Sequence, residues 1–189
     1  MIDSYKVLED TVRDSYASVV WSHKIQEKQS DIYAEKYKKM ETVNIAAASL
    51  TSVGIVAMIF TDPLWLKLVS ALVSFATVYI AAYYKSFDLQ KLVASHKATA
   101  NKLIAVRDQY KLLLTKIRLQ SDTVENLLTN YGELVKESDA IYLEAPSTTD
   151  DAVARAREAL KVTQDNTFSA EEIDSFLPES LRRAKFETK

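Results

Sequence analysis

Apolar and polar positions divide the chain into zones of different period. Over residues 1–41 a loose stripe at helical spacing reads Tyr5, Leu8, Val12, Tyr16, Val19, Gln26, Tyr33 and Met40. No proline interrupts it, so it predicts a helix that can run straight into the next segment of the chain. From Thr42 to Thr61 there are twenty residues without a charge, and from Leu68 to Tyr84 seventeen more. Beyond them the apolar residues fall on a heptad. One set reads Leu89, His96, Leu103, Tyr110, Ile117, Val124 and Tyr131, and its partner reads Leu92, Thr99, Val106, Leu113, Gln120, Leu127, Leu134 and Ile141. That period predicts coiled-coil-like packing of long helices, with Leu103, Tyr110, Leu113, Ile117 and Leu127 as candidate packing residues.

The two uncharged runs set the class. A bilayer core is crossed by roughly 20 predominantly apolar residues of helix, with a range of about 17–25. The second run reaches that length if it starts at Pro63 or Leu64 with Lys67 snorkelling to the headgroups. Only Asp62-Pro63, a turn signal, stands between the runs. The competing reading, a buried helical hairpin of a soluble protein, seldom needs two adjacent uncharged runs of such length. Neither run has the basic-then-apolar start of a cleaved signal peptide. Lysines flank both outer ends (Lys24, Lys28, Lys36, Lys38 and Lys39; Lys85, Lys91, Lys97 and Lys102), and the connecting turn holds none. By the positive-inside rule both termini face the cytoplasm.

Length decides the layout beyond the spans. The N-terminal arm to Glu41 is about 55–60 Å of helix, and the helix leaving the second span matches it near Gln120. Asp122 and Glu125 there form a candidate N-cap and capping box, predicting a reversal near 120–123 and a third helix over about 123–143. The unbroken heptad phase favours one rod to Ala145 instead. Both readings stand at this point. Pro146 and the Ser147–Asp151 segment then mark a loop and a new N-cap. A short helix comes next, with a second from Ser169 that Pro178 ends or kinks.

Composition removes most enzyme classes. With only Gly54 and Gly132 the chain cannot build a GxGxxG or P-loop, and with no Cys it has no disulfide, thiol nucleophile or cysteine-liganded zinc. His23 and His96 lie at different distances from the membrane, which argues against one shared ion, and neither has a hydrolase-like neighbourhood. No enzyme activity, catalytic residue, cofactor or metal is expected. Residues 85–118 carry 8 basic and 2 acidic side chains, and residues 119–189 carry 8 basic and 15 acidic. Membrane topology accounts for much of the basic flank, so no sequence-specific nucleic-acid partner is expected.

Small and polar residues line one side of each run: Asn44, Ala48, Thr51 and Gly54 in the first, Lys67, Ser70, Ser74, Thr77 and Ala81 in the second. Such faces let membrane helices approach closely. They serve either to pack the hairpin or to line a pore once several copies assemble, since two spans cannot enclose a channel. Trp65 at the hairpin tip and Tyr83 and Tyr84 at the other end fit interfacial belts. Trp21 lies too far from the bilayer for that and reads as a packing anchor.

The arm WSHKIQEKQSDIYAEKYKKM leading into the first span, the tight turn, the long exit helix and the closing EAPSTTDDAVARAREALK with SAEEIDSFLP together resemble the SLATT domain. The resemblance covers nearly the whole chain and implies no catalytic residues. It implies a bacterial inner-membrane, two-span effector of anti-phage defence, encoded beside nucleotide second-messenger synthases or reverse transcriptases. On activation such an effector forms an oligomeric pore or disrupts the membrane, causing abortive infection. The expected partners are the lipid bilayer, further copies of the chain, and a nucleotide second messenger or the partner synthase or reverse transcriptase. A membrane-anchored coiled-coil scaffold that recruits a partner and conducts nothing is the alternative. A CorA-type cation channel also joins long helices to two spans, but its Gly-Met-Asn motif is missing where this sequence reads Ile59-Phe60-Thr61-Asp62-Pro63. The expected fold is thus an all-α membrane protein. It comprises an N-terminal cytoplasmic helix (1–41), a transmembrane hairpin (42–84, spans about 42–61 and 64–84), long cytoplasmic helices (85–145) and an acidic tail with two short helices (146–189).

Overall fold

The computed structural model describes residues 3–60, 64–165 and 167–182, and the side chains of these apart from 54–60 and 84–87. Among the described residues every regular element is helical. The first, α1 (Ser4–Phe60), is one helix of 57 residues, about 85 Å of rise. Nothing in it before Gly54 breaks a helix, so the polar arm continues into the apolar run without a joint. Asp3 accepts from the backbone N–H groups of Tyr5 and Lys6 and caps its start. The expected turn at Asp62-Pro63 lies outside the described residues.

α2 (Leu64–Phe87) packs against the C-terminal part of α1, and α3 (Leu89–Arg118) packs along its N-terminal part. One residue separates the two, so the exit helix is not continuous. Asp88 takes the left-handed conformation (φ 39°), which Asp tolerates, and its carboxylate accepts from Lys91 N–H to cap α3. α1 and α3 run antiparallel: Arg118 meets Glu9 at 2.8 Å, and Ser30 donates to the Val93 carbonyl at 3.1 Å.

The chain reverses after Arg118. Gln120 is left-handed (φ 48°), Gln120 N–H donates to the Ile117 carbonyl, and Ser121 N–H donates to the Lys116 carbonyl. This is a Schellman end with glutamine where glycine is usual. Tyr5 closes the corner from α1 by donating to the Asp122 carbonyl. α4 (Val124–Glu144) then folds back onto α3 and α1. Its N-cap is Thr123, one residue later than the sequence suggested, and Thr123 Oγ1 accepts from Asn126 N–H. Asp122 instead accepts from Thr123 N–H and the Asn126 amide.

The core of this packing is Leu8, Val12 and Val19 of α1, Leu103, Val106, Tyr110, Leu113 and Ile117 of α3, and Leu127, Leu134 and Ile141 of α4. All five candidate packing residues of the heptad are in it. Tyr110, almost fully buried, meets Ser138 Oγ at 3.3 Å, and Tyr131 meets Ser15 at 2.9 Å, so buried hydroxyls are partnered.

α5 (Asp150–Lys161) begins after an extended segment at 145–149. The described residues from Arg157 onward form a second compact unit. Within it, α6 (Ala170–Phe176) opens on a capping box between Ser169 and Glu172, and Phe168 meets Phe176 edge-on at 6.0 Å. Leu177 ends α6 before Pro178, and a 3-10 turn comes after it at Glu179–Leu181.

Candidate functional site

α2 is almost all surface. Its stretch Leu64–Tyr83 is long and apolar enough to cross a membrane, the single such helix among the described residues, and only 6 % of it is buried. Leu64, Trp65, Leu68, Leu72, Phe75, Val78 and Tyr79 all point outward. A soluble core helix of this composition would be covered by protein, whereas here a continuous apolar face is open, as a lipid-facing helix requires. Val43, Ile45, Leu50 and Val53 on α1 are exposed in the same way.

The inner side of α2 faces α1. On α2 Ser70 is buried and Ser74 and Thr77 are half-buried, and on α1, against which it packs, Asn44, Ala47 and Thr51 are half-buried. Thr51 and Thr77 donate to the carbonyls of Ala47 and Val73, four residues back on their own helices. Such back-bonding satisfies a hydroxyl within hydrocarbon without a partner helix. Asn44, Thr51, Ser70, Ser74 and Thr77 are thus the less exposed of the small and polar residues expected on the two faces. Ala48, Lys67 and Ala81 are exposed, and Ala47 takes the inward place expected for Ala48. The surroundings of Gly54 lie outside the described residues. Where α1 and α2 leave the seam, Tyr37, Glu41 and Asn44 face Ala81, Asp88, Leu89 and Gln90 across a cleft of about 380 Å³.

Next along α1 comes a polar belt that the apolar pattern did not reveal. His23, Lys24, Gln26, Gln29 and Ser30 are all buried. Gln26 Nε2 donates to the Pro146 carbonyl at 3.1 Å, so its Oε1 is the atom that meets His96 Nδ1 at 2.6 Å. That geometry puts a proton on Nδ1 of His96. Tyr33 stacks beside the same ring at 5.4 Å. Gln29 Oε1 accepts from both Thr149 N–H (2.7 Å) and Thr149 Oγ1 (2.9 Å). Lys24 Nζ binds Glu27 at 2.7 Å.

Burial sets the electrostatics of the belt. It lowers the His96 pKa. It lowers that of His23 too, where the opposing pull of Glu27 is countered by Lys24, Arg107 and Lys97. Burial alone would raise Glu27, but the Lys24 ammonium outweighs it and keeps the carboxyl below its ordinary range. His23 approaches Glu27 and His96 holds Gln26, so the two histidines serve different partners. Among the described residues no group of three or more His, Asp or Glu is placed to hold a metal. The sequence signs of the belt were Gln26 and His96, polar residues on otherwise apolar stripes, and the isolated His23. Gln29 and Thr149 carried none.

No curated protein and no solved structure gives a significant match to this chain. A family model does match, over residues 8–172, and its description is SMODS and SLOG-associating 2TM effector domain family 4. The match takes in the polar arm, α2 with its exposed apolar face, the antiparallel α3 and α4, and the beginning of the tail. The chain therefore belongs to the SLATT family of membrane-associated effector domains.

Proposed function

We propose that this chain is a non-enzymatic, two-span effector of a bacterial defence system, set in the inner membrane with both termini in the cytoplasm. On triggering it opens an ion path through an assembly of several copies and so halts the infected cell. The observation that carries this reading is the continuity of α1 (Ser4–Phe60). One helix holds Leu8, Val12 and Val19 in the core with α3 and α4 and also carries the uncharged run from Thr42. A shift or rotation of α1 in the core is then delivered to the membrane without a hinge. The exposed apolar face of α2 and the lysines flanking both runs support the topology.

In the resting form the Ser70, Ser74 and Thr77 side of α2 is turned toward α1. Conduction requires that seam to open and its small polar residues to line a path between copies. The trigger is a nucleotide-derived signal or a partner synthase or reverse transcriptase. The test is membrane potential and dye entry in bacterial cells expressing the chain, compared with Ser74→Leu and Thr77→Leu forms present in the membrane at equal amounts. Depolarisation by the parent and its loss in both variants is expected. Full polarisation by an inserted, oligomeric parent under phage challenge would overturn the reading and favour the non-conducting scaffold.

A further inference from the structure

The segment after α4 is laid along α1 in a regular way. Gln26 donates to the Pro146 carbonyl, Gln29 accepts twice from Thr149, and Glu35 forms a two-oxygen ion pair with Arg155 at 3.0 Å. Each contact joins residues 120 apart, so 146–155 runs parallel to α1 and in step with it. Thr149 is also the cap of α5, accepting from Ala152 N–H at 3.4 Å. The strap thus fastens onto the final turns of α1 before the uncharged run begins at Thr42.

The chemistry of this contact differs from that of the core. Leu, Val, Ile and Tyr side chains join α1, α3 and α4, whereas the strap buries one small apolar side chain, Ala152, and its contacts with α1 are made by amides, a hydroxyl and an exposed ion pair. Hydrogen bonds and surface ion pairs exchange for water at small net cost, so such a contact opens far more readily than an apolar core. The fit is also incomplete. Gln29 is fully buried, yet its Nε2 has no acceptor among the described residues, a cost that a purely structural contact would be expected to shed.

We propose that residues 146–155 are a detachable strap that holds α1 in its resting position, and that its release permits the movement of α1 that opens the membrane path. This rests on the effector reading proposed for the chain. The trigger acts by taking the strap away from Gln26, Gln29 and Glu35, leaving the α1–α3–α4 core intact.

Hydrogen exchange on the full chain in lipid nanodiscs tests the strap, and ion flux from vesicles carrying the same proteins tests its consequence. The strap amides, Thr149 first, should exchange at least about tenfold faster than those of Leu103–Ile117. Gln29→Ala with Glu35→Ala, which remove strap contacts alone, should accelerate the strap again by about tenfold, leave Leu103–Ile117 unchanged, and raise the flux. The chain has no cysteine, so a Glu35→Cys, Arg155→Cys pair can be bridged by a short reducible thiol linker. The bridged form should be silent, and reduction should restore its flux to that of the unbridged pair. Strap amides that exchange in step with α3, or bridged and reduced forms that conduct equally, would overturn the proposal. If the strap opens separately while every form stays silent, the strap stands as a detachable element and ion conduction by this chain is what fails.

Discussion

His96 lies against Gln26 and Tyr33 in a site where burial works against its charged form, and His23 is held below its ordinary range for the same first reason. A histidine whose pKa is lower folded than unfolded binds fewer protons in the native state. Its contribution to stability is fully present above the unfolded value, near 6.5, and is lost as pH falls toward and through the lowered value. Thermal unfolding of the full chain in detergent, followed by circular dichroism, should therefore give a Tm that falls between pH 7.5 and 5. His96→Asn keeps an N–H donor for Gln26 Oε1 but cannot titrate, so its Tm should fall less steeply. A Tm that rises on acidification, or an unchanged slope in the variant, would contradict this assignment. At the core, Leu103→Ala removes a fully buried side chain and should cost about 2–5 kcal/mol in unfolding by denaturant.

Helix ends decide the path of the chain between elements, and they also mark where the sequence was hard to read. The heptad positions were legible because burial imposes a period, and Leu103, Val106, Tyr110, Leu113, Ile117 and Leu127 all lie in the core. The reversal after Arg118 competed with an unbroken rod for a physical reason. A Schellman end usually shows glycine, and here Gln120 bears the left-handed angle. Val124, Leu127 and Leu134 keep the heptad phase after the break because the same α1 and α3 surface receives them. The joint at Asp88 was hidden likewise, a left-handed residue without glycine. Relieving that strain is testable: Gln120→Gly should stabilise the chain by about 1 kcal/mol. Gly132 within α4 has open space where a Cβ would stand, so Gly132→Ala should raise stability by roughly 0.5–1 kcal/mol through helix propensity. Both are read as shifts in unfolding midpoint, and a loss of stability in either would contradict the local geometry described. The seam was half legible. Helical spacing picked out Ser70, Ser74, Thr77, Asn44 and Thr51, which are buried or half-buried, but it could not say which small neighbour is the less exposed, and Ala47 rather than Ala48 is.

At the scale of the whole molecule, the long α1 links a core of large apolar side chains, a buried polar belt and an uncharged run. The order of those parts along one helix gives the effector reading its mechanics. On the reading proposed for the chain, the core anchors, the belt and its strap regulate, and the run acts. The polar belt was the part least visible in the sequence, because Gln29 and Thr149 lie 120 residues apart and neither belongs to a periodic pattern. A movement starting at residues 26–35 should change the packing of Ser70, Ser74 and Thr77 some distance away along α1 and α2. The most direct measurement is current across a planar lipid bilayer containing the purified full chain, before and after the strap is freed by Gln29→Ala with Glu35→Ala. Stepwise currents that become frequent in the freed form, and are absent when Ser74→Leu is added, are the predicted result. A silent bilayer, with protease protection showing the freed chain inserted across it, would contradict the account.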